Sequence, residues 1–352
     1  MGQTRAILCG YYGKGNGGDE ALLASLLQML PEWVTPVVLS GNPAETHQEY
    51  GVLSRDRFSA FQILQAMGQS DVLIWGGGSL IQDVTSMASP IYYCGLMGLA
   101  QKMGLKTIAW GQGIGPLKRP LTRWVAKECF SGCVAVSVRD RASGAILDEW
   151  GIPYREAPDP VWALDSIDMP QLCQLPEPRV AVNLRSHFTL TPERLANLTN
   201  ALVDFQKATT TSILLVPFQA SRDLSIAQSI ASQLTGPHQI IQLRDPRKLK
   251  GLFREVEMVI GMRYHSLVMA AAEGCRCFAL SYDPKVTSLM AELNLPGCDL
   301  ADLPNQSSAI VQAWLEEYAH SHPLTKDKIQ SLVNRALIHR DLLTDALKEV
   351  KK

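Results

Sequence analysis

The chain lacks an excess of charge of either sign. Its 352 residues include 33 lysines and arginines and 34 aspartates and glutamates, which gives a formal net charge of -1 at pH 7. A nucleic-acid-binding protein needs a strong basic surface, so the sequence predicts no nucleic-acid partner. Any anion-binding site must therefore be local. Hydrophobic residues make up 46% of the chain, which is enough for a large core and excludes a disordered protein.

Long hydrophobic runs are also missing. The most apolar stretches, such as IYYCGLMGLA at 91–100, are about half the ~20 residues that a membrane-spanning helix requires. The first residues, MGQTRAILCGYYG, hold one arginine and four apolar residues before glycines intervene, which does not fit a signal peptide. We expect a cytoplasmic protein, with peripheral association with the inner face of the plasma membrane as an alternative.

Paired cysteines are scarce. The eight cysteines are scattered, and Cys275 and Cys277 are the one pair that lies close together in the sequence. Without a CxxC pair a zinc site is not expected, and the cysteines are interpreted as reduced core residues. The sequence predicts neither a metal nor a cofactor.

Short β-rich runs alternate with helical patterns along the whole chain, which is typical of parallel α/β proteins. At this length the chain is expected to form two domains of medium size or one large one. The predicted strands cover residues 5–10, 36–40, 71–76, 106–111 and 134–139 in the first half and 179–185, 211–218, 238–243, 258–262 and 277–282 in the second.

A proline-rich segment without clear periodicity, residues 158–179, separates the two halves. The predicted division is therefore an N-terminal Rossmann-like domain over 1–160, a linker over 161–178 and a second Rossmann-like domain over 179–322. The remaining residues, 323–352, are charged and carry a leucine stripe, which predicts a C-terminal helix that packs on the first domain.

The loops that follow the predicted strands of the first half carry candidate ligands, because open parallel sheets bind ligands at the carboxyl ends of their strands. Glycine-rich stretches at 10–18 and 76–78 allow the backbone to approach a ligand closely. A side-chain amide suits a sugar hydroxyl, and an arginine at a strand end suits an anion. Helix capping and a surface salt bridge are the structural alternatives. The candidates are Asn16, Asp19, Ser79, Gln82, Asp83, Gln112 and Arg139.

The second half has its strongest signal in IGMRYHSLVMAAAEG, residues 260–274. Arg263 and His265 lie where a predicted strand ends and a helix begins, and a cation gains nothing from the dipole at that end of a helix. A bound anion would compensate for this placement. The next strand ends in SYDPKV, which adds Asp283 and Lys285. The alternative is a buried structural histidine beside a solvated arginine and lysine.

Together these loops resemble the polysaccharide pyruvyltransferase family, in particular the branch that modifies cell-wall polymers for S-layer anchoring. The resemblance extends from residue 10 to about residue 286 and therefore includes both halves. The matching stretches are GYYGKGNGGDEALL, WGGGSLIQDVTS, GQGIGPL, SVRDRAS, APDPV, GMRYHSL and SYDPKV, in that order.

The resemblance implies a GT-B-like fold, in which two Rossmann-like domains face a central cleft and the C-terminal helix crosses back to the first domain. It implies transfer of a pyruvyl group from phosphoenolpyruvate to two hydroxyls of a sugar, which gives a cyclic ketal. The implied acceptor is N-acetylmannosamine in a lipid-linked saccharide at the membrane surface. Arg139, His265 and Lys285 match family positions that act in phosphoenolpyruvate binding and catalysis.

Two other functions are compatible with the sequence. One is a nucleotide-sugar-dependent glycosyltransferase on the same fold, which would use the second-domain anion site for a diphosphate. The other is a non-catalytic protein that binds a glycan or a nucleotide. Release of phosphate from phosphoenolpyruvate, dependent on the acceptor, would distinguish the three. The sequence leaves a homo-oligomer open.

Overall fold

The computed structural model describes residues 3–84, 86–169 and 174–350. The strands are β1 (Thr4–Cys9), β2 (Val34–Ser40), β3 (Leu53–Asp56), β4 (Val72–Ile81), β5 (Lys106–Ile114), β6 (Ala135–Val138), β7 (Arg155–Glu156), β8 (Arg179–Asn183), β9 (Ser212–Leu215), β10 (His238–Ile240), β11 (Met258–Gly261), β12 (Arg276–Ser281) and β13 (Gly297–Asp299). The helices are α1 (Gly17–Met29), α2 (Pro43–Tyr50), α3 (Ala60–Met67), α4 (Ala88–Lys102), α5 (Pro120–Ser131), α6 (Arg141–Trp150), α7 (Pro192–Thr209), α8 (Ala220–Ala231), α9 (Pro246–Leu252), α10 (Tyr264–Ala272), α11 (Pro284–Leu293), α12 (Ser307–His320), α13 (Lys326–Ala336) and α14 (Ile338–Val350).

The chain forms two compact units. The first contains the residues up to Lys14, Asp19–Asp165 and the residues from Ser331 onward, and the second contains Gly15–Gly18 and Ser166–Gln330. The main change of unit thus falls between Asp165 and Ser166, inside the segment that the sequence predicts as a linker. Residues 170–173 of that segment lie outside the described residues. No helix in the described part of the chain is long and apolar enough to cross a membrane.

The first unit is built on a parallel sheet. Over the described residues its strands follow the order β3-β2-β1-β4-β5-β6-β7, and every pair is parallel. The central strands are apolar on both faces because helices cover both sides of the sheet. Helices α3 to α6 share one core with one face of this sheet, where Trp75 of β4 packs against Phe130 of α5. Parallel strands place all their carboxyl ends at one edge of the sheet.

The second unit repeats this architecture. Its described strands follow the order β10-β9-β8-β11-β12-β13, again all parallel. Its core joins the buried positions of β8, β9 and β11 to α7 and α12, where the fully buried Trp314 packs against Phe205. The carboxyl ends of β8, β11 and β12, which are adjacent in the sheet, therefore lie side by side.

The structure differs from the sequence prediction at the sheet edges and at the C-terminal end. Strands β3, β7 and β13 were not predicted, and each lies at the edge of its sheet. Such strands are short and partly exposed, so they lack the apolar run by which the inner strands are detected. The single helix predicted after Lys326 is two helices, α13 and α14, with a turn at Leu337 between them.

Helix α14 packs against β5 and β6 of the first unit through a buried histidine. The Nε2 atom of His339 lies 3.0 Å from the carbonyl oxygen of Pro158, and its Nδ1 atom lies 2.9 Å from the Ser137 hydroxyl. A carbonyl can only accept, so Nε2 carries the proton and Nδ1 accepts from Ser137. The Trp110 indole donates to the carbonyl of His339 at 3.2 Å. The imidazole is therefore held in one neutral tautomer.

This arrangement predicts acid-sensitive stability of the first unit. Burial lowers the pKa of His339 from 6.5 to about 4, so the unfolded chain takes up a proton at a higher pH than the folded one. The contribution of His339 is present above pH 6.5 and is lost as the pH falls toward 4, at a cost of up to about 3 kcal/mol. Urea unfolding at both pH values should show this loss in the wild type and a smaller one in His339→Gln. Equal pH dependence in the two proteins would contradict the assignment.

Candidate functional site

The residues of the IGMRYHSLVMAAAEG stretch lie at the carboxyl edge of the second sheet. Strand β11 ends at Gly261, Arg263 is the extended residue that precedes α10, and His265 lies in the first turn of that helix. The helix continues with buried apolar residues, which fix it against the sheet. His265 itself is half-buried. The sequence pattern thus places both side chains where a ligand of a parallel sheet is expected.

Arg263 is held by a carboxylate of the protein. Its Nε and Nη2 atoms donate to the two oxygens of Asp223 at 2.8 and 2.7 Å, and both side chains are buried. Asp223 lies in the first turn of α8 and also accepts from the backbone N–H of Gln219 at 2.9 Å. A two-point arginine–carboxylate contact of this kind fixes the geometry of both groups. The charge of Arg263 is therefore compensated by the side chain of Asp223. The sequence had predicted a bound ligand anion in this role.

The glycine-rich loop before α1 packs against His265. A Cβ atom added to Gly18 would lie 2.3 Å from Nδ1 of His265, so the imidazole occupies the space that a larger residue would need. The loop is fixed by the Gly17 N–H, which donates to the Phe218 carbonyl at 2.7 Å, and by an antiparallel bridge between Asn16 and Gln219. Glycine at position 18 thus allows the loop to reach the histidine.

Asn16, a predicted sugar ligand, has a structural contact in this loop. Its side-chain oxygen accepts a hydrogen bond from the backbone N–H of Gly18 at 3.3 Å. This bond closes a short turn and sets the start of α1.

The next loop along the edge carries Asp283 and Lys285. Asp283 caps α11, because its Oδ1 atom accepts from the backbone N–H of Lys285 at 3.1 Å. Its Oδ2 atom lies 3.5 Å from Nζ of the same lysine, and both side chains are partly exposed. An exposed pair at this distance is weak, so the lysine can exchange this partner for a ligand anion.

Sequence reasoning missed an arginine at the same edge. Arg185 lies two residues beyond the end of β8, which is the neighbour of β11. Its Nη1 atom donates to the Tyr282 hydroxyl at 2.8 Å, and its guanidinium carbon lies 5.0 Å from the centroid of the Tyr282 ring. No carboxylate of the described residues forms an ion pair with Arg185, in contrast to Arg263. The sequence prediction placed Arg185 inside a strand over 179–185. If that strand had been predicted to end at Asn183, Arg185 would have been a candidate, because ligands bind beyond the carboxyl ends of parallel strands.

A histidine lies beside this arginine. The ring centroid of His187 is 4.8 Å from that of Tyr282. Burial lowers the pKa of His187, and the nearby charge of Arg185 lowers it further. Both effects favour the neutral form of the imidazole.

In the first unit the structure brings two predicted residues together. Arg139 is buried, and its Nη2 atom donates to the Ser79 hydroxyl at 2.9 Å. Its Nη1 atom lies 2.8 Å from Oδ2 of Asp159, whose other oxygen accepts from the backbone N–H of Val161 at 3.0 Å. The pair is buried, unlike the surface salt bridge that was the structural alternative. Asp159 was not predicted as the partner, although it lies in the APDPV stretch.

Asp83, a predicted substrate ligand, is held by hydrogen bonds within the protein. Its carboxylate accepts hydrogen bonds from the backbone N–H groups of Lys118 and Arg119 at 2.8 and 2.9 Å and from the Thr122 hydroxyl at 2.6 Å. Burial alone would raise the pKa of Asp83, but these donors outweigh burial and lower it. The carboxylate therefore anchors the loop that precedes α5.

The remaining candidates of the first unit also make local contacts. Oε1 of Gln82 accepts from the backbone N–H of Val84 at 3.0 Å. Gln112 is fully buried, and its Nε2 atom donates to the Trp110 carbonyl at 3.0 Å. Asp19 lies half-buried in the first turn of α1, where an acidic residue suits the helix dipole. Of these three, Gln112 is the least accessible to a substrate.

The family model for polysaccharide pyruvyl transferase matches residues 16–284. The chain belongs to the polysaccharide pyruvyl transferase family. The match includes the glycine-rich loop from Asn16, both arginine–aspartate pairs and the His265 motif. No curated protein matches the sequence.

Solved structures with a similar fold include UDP-GlcNAc 2-epimerases and a protein in complex with UDP and glucose. UDP-GlcNAc 2-epimerase from Neisseria meningitidis bound to UDP-GlcNAc has a TM-score of 0.65 at 10% identity, over 97% of this chain and 100% of that one. A putative UDP-N-acetylglucosamine 2-epimerase from Listeria monocytogenes has 0.64 at 11%, over 98% and 96%. Anabaena Alr3699/HepE in complex with UDP and glucose has 0.61 at 11%, over 99% and 100%. These likenesses confirm the predicted GT-B-like fold of two Rossmann-like domains.

Proposed function

We propose that this pyruvyl transferase moves a pyruvyl group from phosphoenolpyruvate to two hydroxyls of one sugar residue and releases phosphate. The observation that carries the proposal is the environment of His265. The histidine lies at the carboxyl edge of the second sheet, in contact with the glycine loop that the family model matches. Lys285 and Arg185 follow neighbouring strands at the same edge.

The chemistry requires one proton donor and a route for two protons to leave. A proton added to C3 of phosphoenolpyruvate makes C2 electrophilic, and the first sugar hydroxyl attacks C2 and loses its proton. The bond between C2 and the phosphate oxygen then breaks, and the second hydroxyl attacks C2 and loses its proton in turn. The products are one ketal and one phosphate. Histidine is the side chain that ordinarily exchanges a proton near neutral pH, so His265 is assigned to protonate either C3 or the departing phosphate.

The donor carries a carboxylate and a phosphate close together, which suits cations that are not already neutralised. Arg263 is paired with Asp223 and is therefore assigned to position the start of α10. Arg185 and Lys285 are assigned to bind the donor. The planar guanidinium of an arginine can bond to a carboxylate or a phosphate through two N–H groups, and the ammonium group of a lysine attracts either anion as a compact charge. The resemblance implies a role for Arg139 on the donor, but Asp159 pairs with Arg139 as Asp223 pairs with Arg263, so by the same argument Arg139 is assigned to position Ser79.

Loss of either assigned cation is expected to weaken donor binding more than turnover. A fixed charge attracts the ground state and the transition state alike, so Lys285→Ala and Arg185→Ala should each raise KM for phosphoenolpyruvate by about 10- to 100-fold with a smaller change in kcat. Lys207→Ala, at an exposed site near the end of α7, is the matched control. A fall in kcat at unchanged KM would contradict the assignment.

The acceptor is proposed to be N-acetylmannosamine in a lipid-linked cell-wall saccharide, as in the S-layer-anchoring branch that the sequence resembles. The polar groups proposed to meet the acceptor are those at the carboxyl edge of the first sheet, in particular Ser79 beside Arg139. Comparison of free N-acetylmannosamine, N-acetylglucosamine and a lipid-linked disaccharide as acceptors tests this choice.

One experiment distinguishes the proposed function from its rivals. Phosphate release from phosphoenolpyruvate should occur only when the acceptor is present, and a ketal should appear in the product by NMR. A nucleotide-sugar-dependent glycosyltransferase is the second candidate, because the similar structures from Neisseria and Anabaena were solved with UDP-GlcNAc and with UDP and glucose. That function would show release of UDP from UDP-GlcNAc and no phosphate. Binding of the sugar without either product would favour a binding protein.

A further inference from the structure

Exposed apolar side chains are concentrated at the starts of three helices in the first unit. Among the described residues of the second unit, Ile167 and Phe188 are the large apolar side chains that are exposed. The first unit exposes many more, and six of them lie in or next to the first turns of α3, α4 and α5. We call these six the apolar rim: Phe58, Phe61, Met87, Ile91, Leu121 and Trp124.

The three helix starts lie at one edge of the first sheet. Helices α3, α4 and α5 each follow a strand of the parallel sheet and bury their other sides in one shared core. Their first turns therefore all lie at the carboxyl edge of that sheet. The Phe58 ring lies 6.2 Å from that of Tyr92 in α4, and the Arg119 guanidinium contacts the Met87 sulfur. These contacts link the start of α3 to α4, and the start of α4 to the loop before α5.

The three sequence segments that carry the rim contain more basic than acidic residues. Segments 57–67, 84–102 and 115–131 contain one acidic residue, Glu128, whereas the whole chain has about equal numbers of acids and bases. Two carboxylates border these segments. Asp83 is buried and accepts hydrogen bonds from the loop before α5, and Asp56 accepts one from the backbone N–H of Phe58. The basic residues of the segments are Arg57, Lys102, Lys118, Arg119, Arg123 and Lys127.

Not all of these cations are available to a partner. Arg57 is buried among aromatic rings, and Arg123 pairs with Glu149 of α6. Lys118 and Arg119, in contrast, are exposed in the loop between β5 and α5, close to Leu121 in sequence, and the Arg119 guanidinium contacts Met87. The surface therefore combines protruding aromatic and aliphatic side chains with adjacent cations.

We propose that the apolar rim docks the protein on an anionic phospholipid bilayer. The six side chains enter the boundary between headgroups and acyl chains, and Lys118 and Arg119 lie at the level of the lipid phosphates. Tryptophan and phenylalanine beside cations suit that boundary, which is apolar on one side and charged on the other. This inference goes beyond the proposed function, because vesicle binding needs no substrate and no turnover.

Co-sedimentation with vesicles tests the rim. We expect the wild type to bind vesicles of phosphatidylcholine with roughly three in ten lipids replaced by phosphatidylglycerol, and to bind less as salt rises to about 0.5 M. Phe61→Ser/Trp124→Ser should weaken the apparent affinity by about tenfold or more, since both side chains are more than half exposed, at 76% and 61%. Phe188→Ser removes an even more exposed side chain, at 86%, from the second unit and should leave binding unchanged.

Two further measurements test whether the rim binds anionic lipid or a second copy of the protein. Lys118→Glu/Arg119→Glu should remove the preference for anionic over neutral vesicles. Light scattering in the absence of lipid shows whether a second copy covers the rim instead. Failure of the wild type to bind anionic vesicles, unaltered binding by the Phe61/Trp124 variant, or a dimer that this variant abolishes would each overturn the proposal. Phosphate release with a water-soluble acceptor should be the same in the rim variant and the wild type, so the two proposals can fail separately.

Discussion

Replacement of His265 by glutamine is expected to lower turnover at saturating phosphoenolpyruvate by roughly 10²–10⁴-fold, the usual contribution of a positioned acid or base. Glutamine can still donate and accept hydrogen bonds, but it cannot transfer a proton at neutral pH. The variant should fold, because His265 is half-buried and glutamine is no larger than the imidazole that it replaces. Steady-state phosphate release with the acceptor sugar measures the effect, and KM for the donor should change much less than kcat.

A matched histidine variant controls for side effects. His238→Gln changes the first residue of β10, whose ring contacts the Gly236 carbonyl and which therefore lies away from the carboxyl edge of the sheet. That variant should keep full activity. If His265→Gln also keeps near-normal turnover, His265 is a binding residue and the proton comes from elsewhere. Tyr264, whose ring centroid lies 5.2 Å from that of His265, and water would then be the next candidates.

The fold could be predicted largely because hydrophobic pattern and parallel topology are linked. Every strand predicted from an apolar run is present, although several are shorter: the run at 211–218 forms a strand only over Ser212–Leu215. The edge strands were missed, because residues such as Arg155 and Glu156 of β7 are exposed and carry no apolar signal. The unit boundaries were harder to predict, since Gly15–Gly18 join the second unit although they precede most of the first in sequence.

The candidate site could be predicted as a set of positions but not as a set of partners. The strand-end rule identified Arg139, Arg263 and Lys285 from local sequence. The carboxylates that pair with the two arginines come from distant elements: Asp159 is 20 residues from Arg139, and Asp223 is 40 residues from Arg263. A local pattern cannot reveal such a partner. As a result, the sequence predicts Arg139 and Arg263 as cations available to a ligand, whereas in the structure each of them is paired with a buried aspartate.

The Asp223–Arg263 pair leads to the second large effect. Asp223→Ala is expected to destabilise the second unit by about 3–5 kcal/mol, because it leaves a buried guanidinium without its anion and the Gln219 N–H without its acceptor. Hydrogen exchange should locate the loss: peptides from α8 and α10 should lose protection, whereas peptides from β4 and β5 should not. Protection equal to that of the wild type in α10 would contradict the role of the pair.

Removal of both charges separates the structural cost from a role in binding. In Asp223→Ala/Arg263→Met no buried charge is left uncompensated, so much of the stability lost in Asp223→Ala should return. If the double variant is stable and keeps the KM of the wild type for phosphoenolpyruvate, Arg263 acts through the position of α10. If it is stable but its KM rises as much as in Lys285→Ala, Arg263 contacts the donor despite its partner, and Asp223 orients it for that contact. A double variant that is no more stable than Asp223→Ala would mean that the cost lies in what the two variants share, which is the lost Gln219 contact and the buried volume lost at position 223.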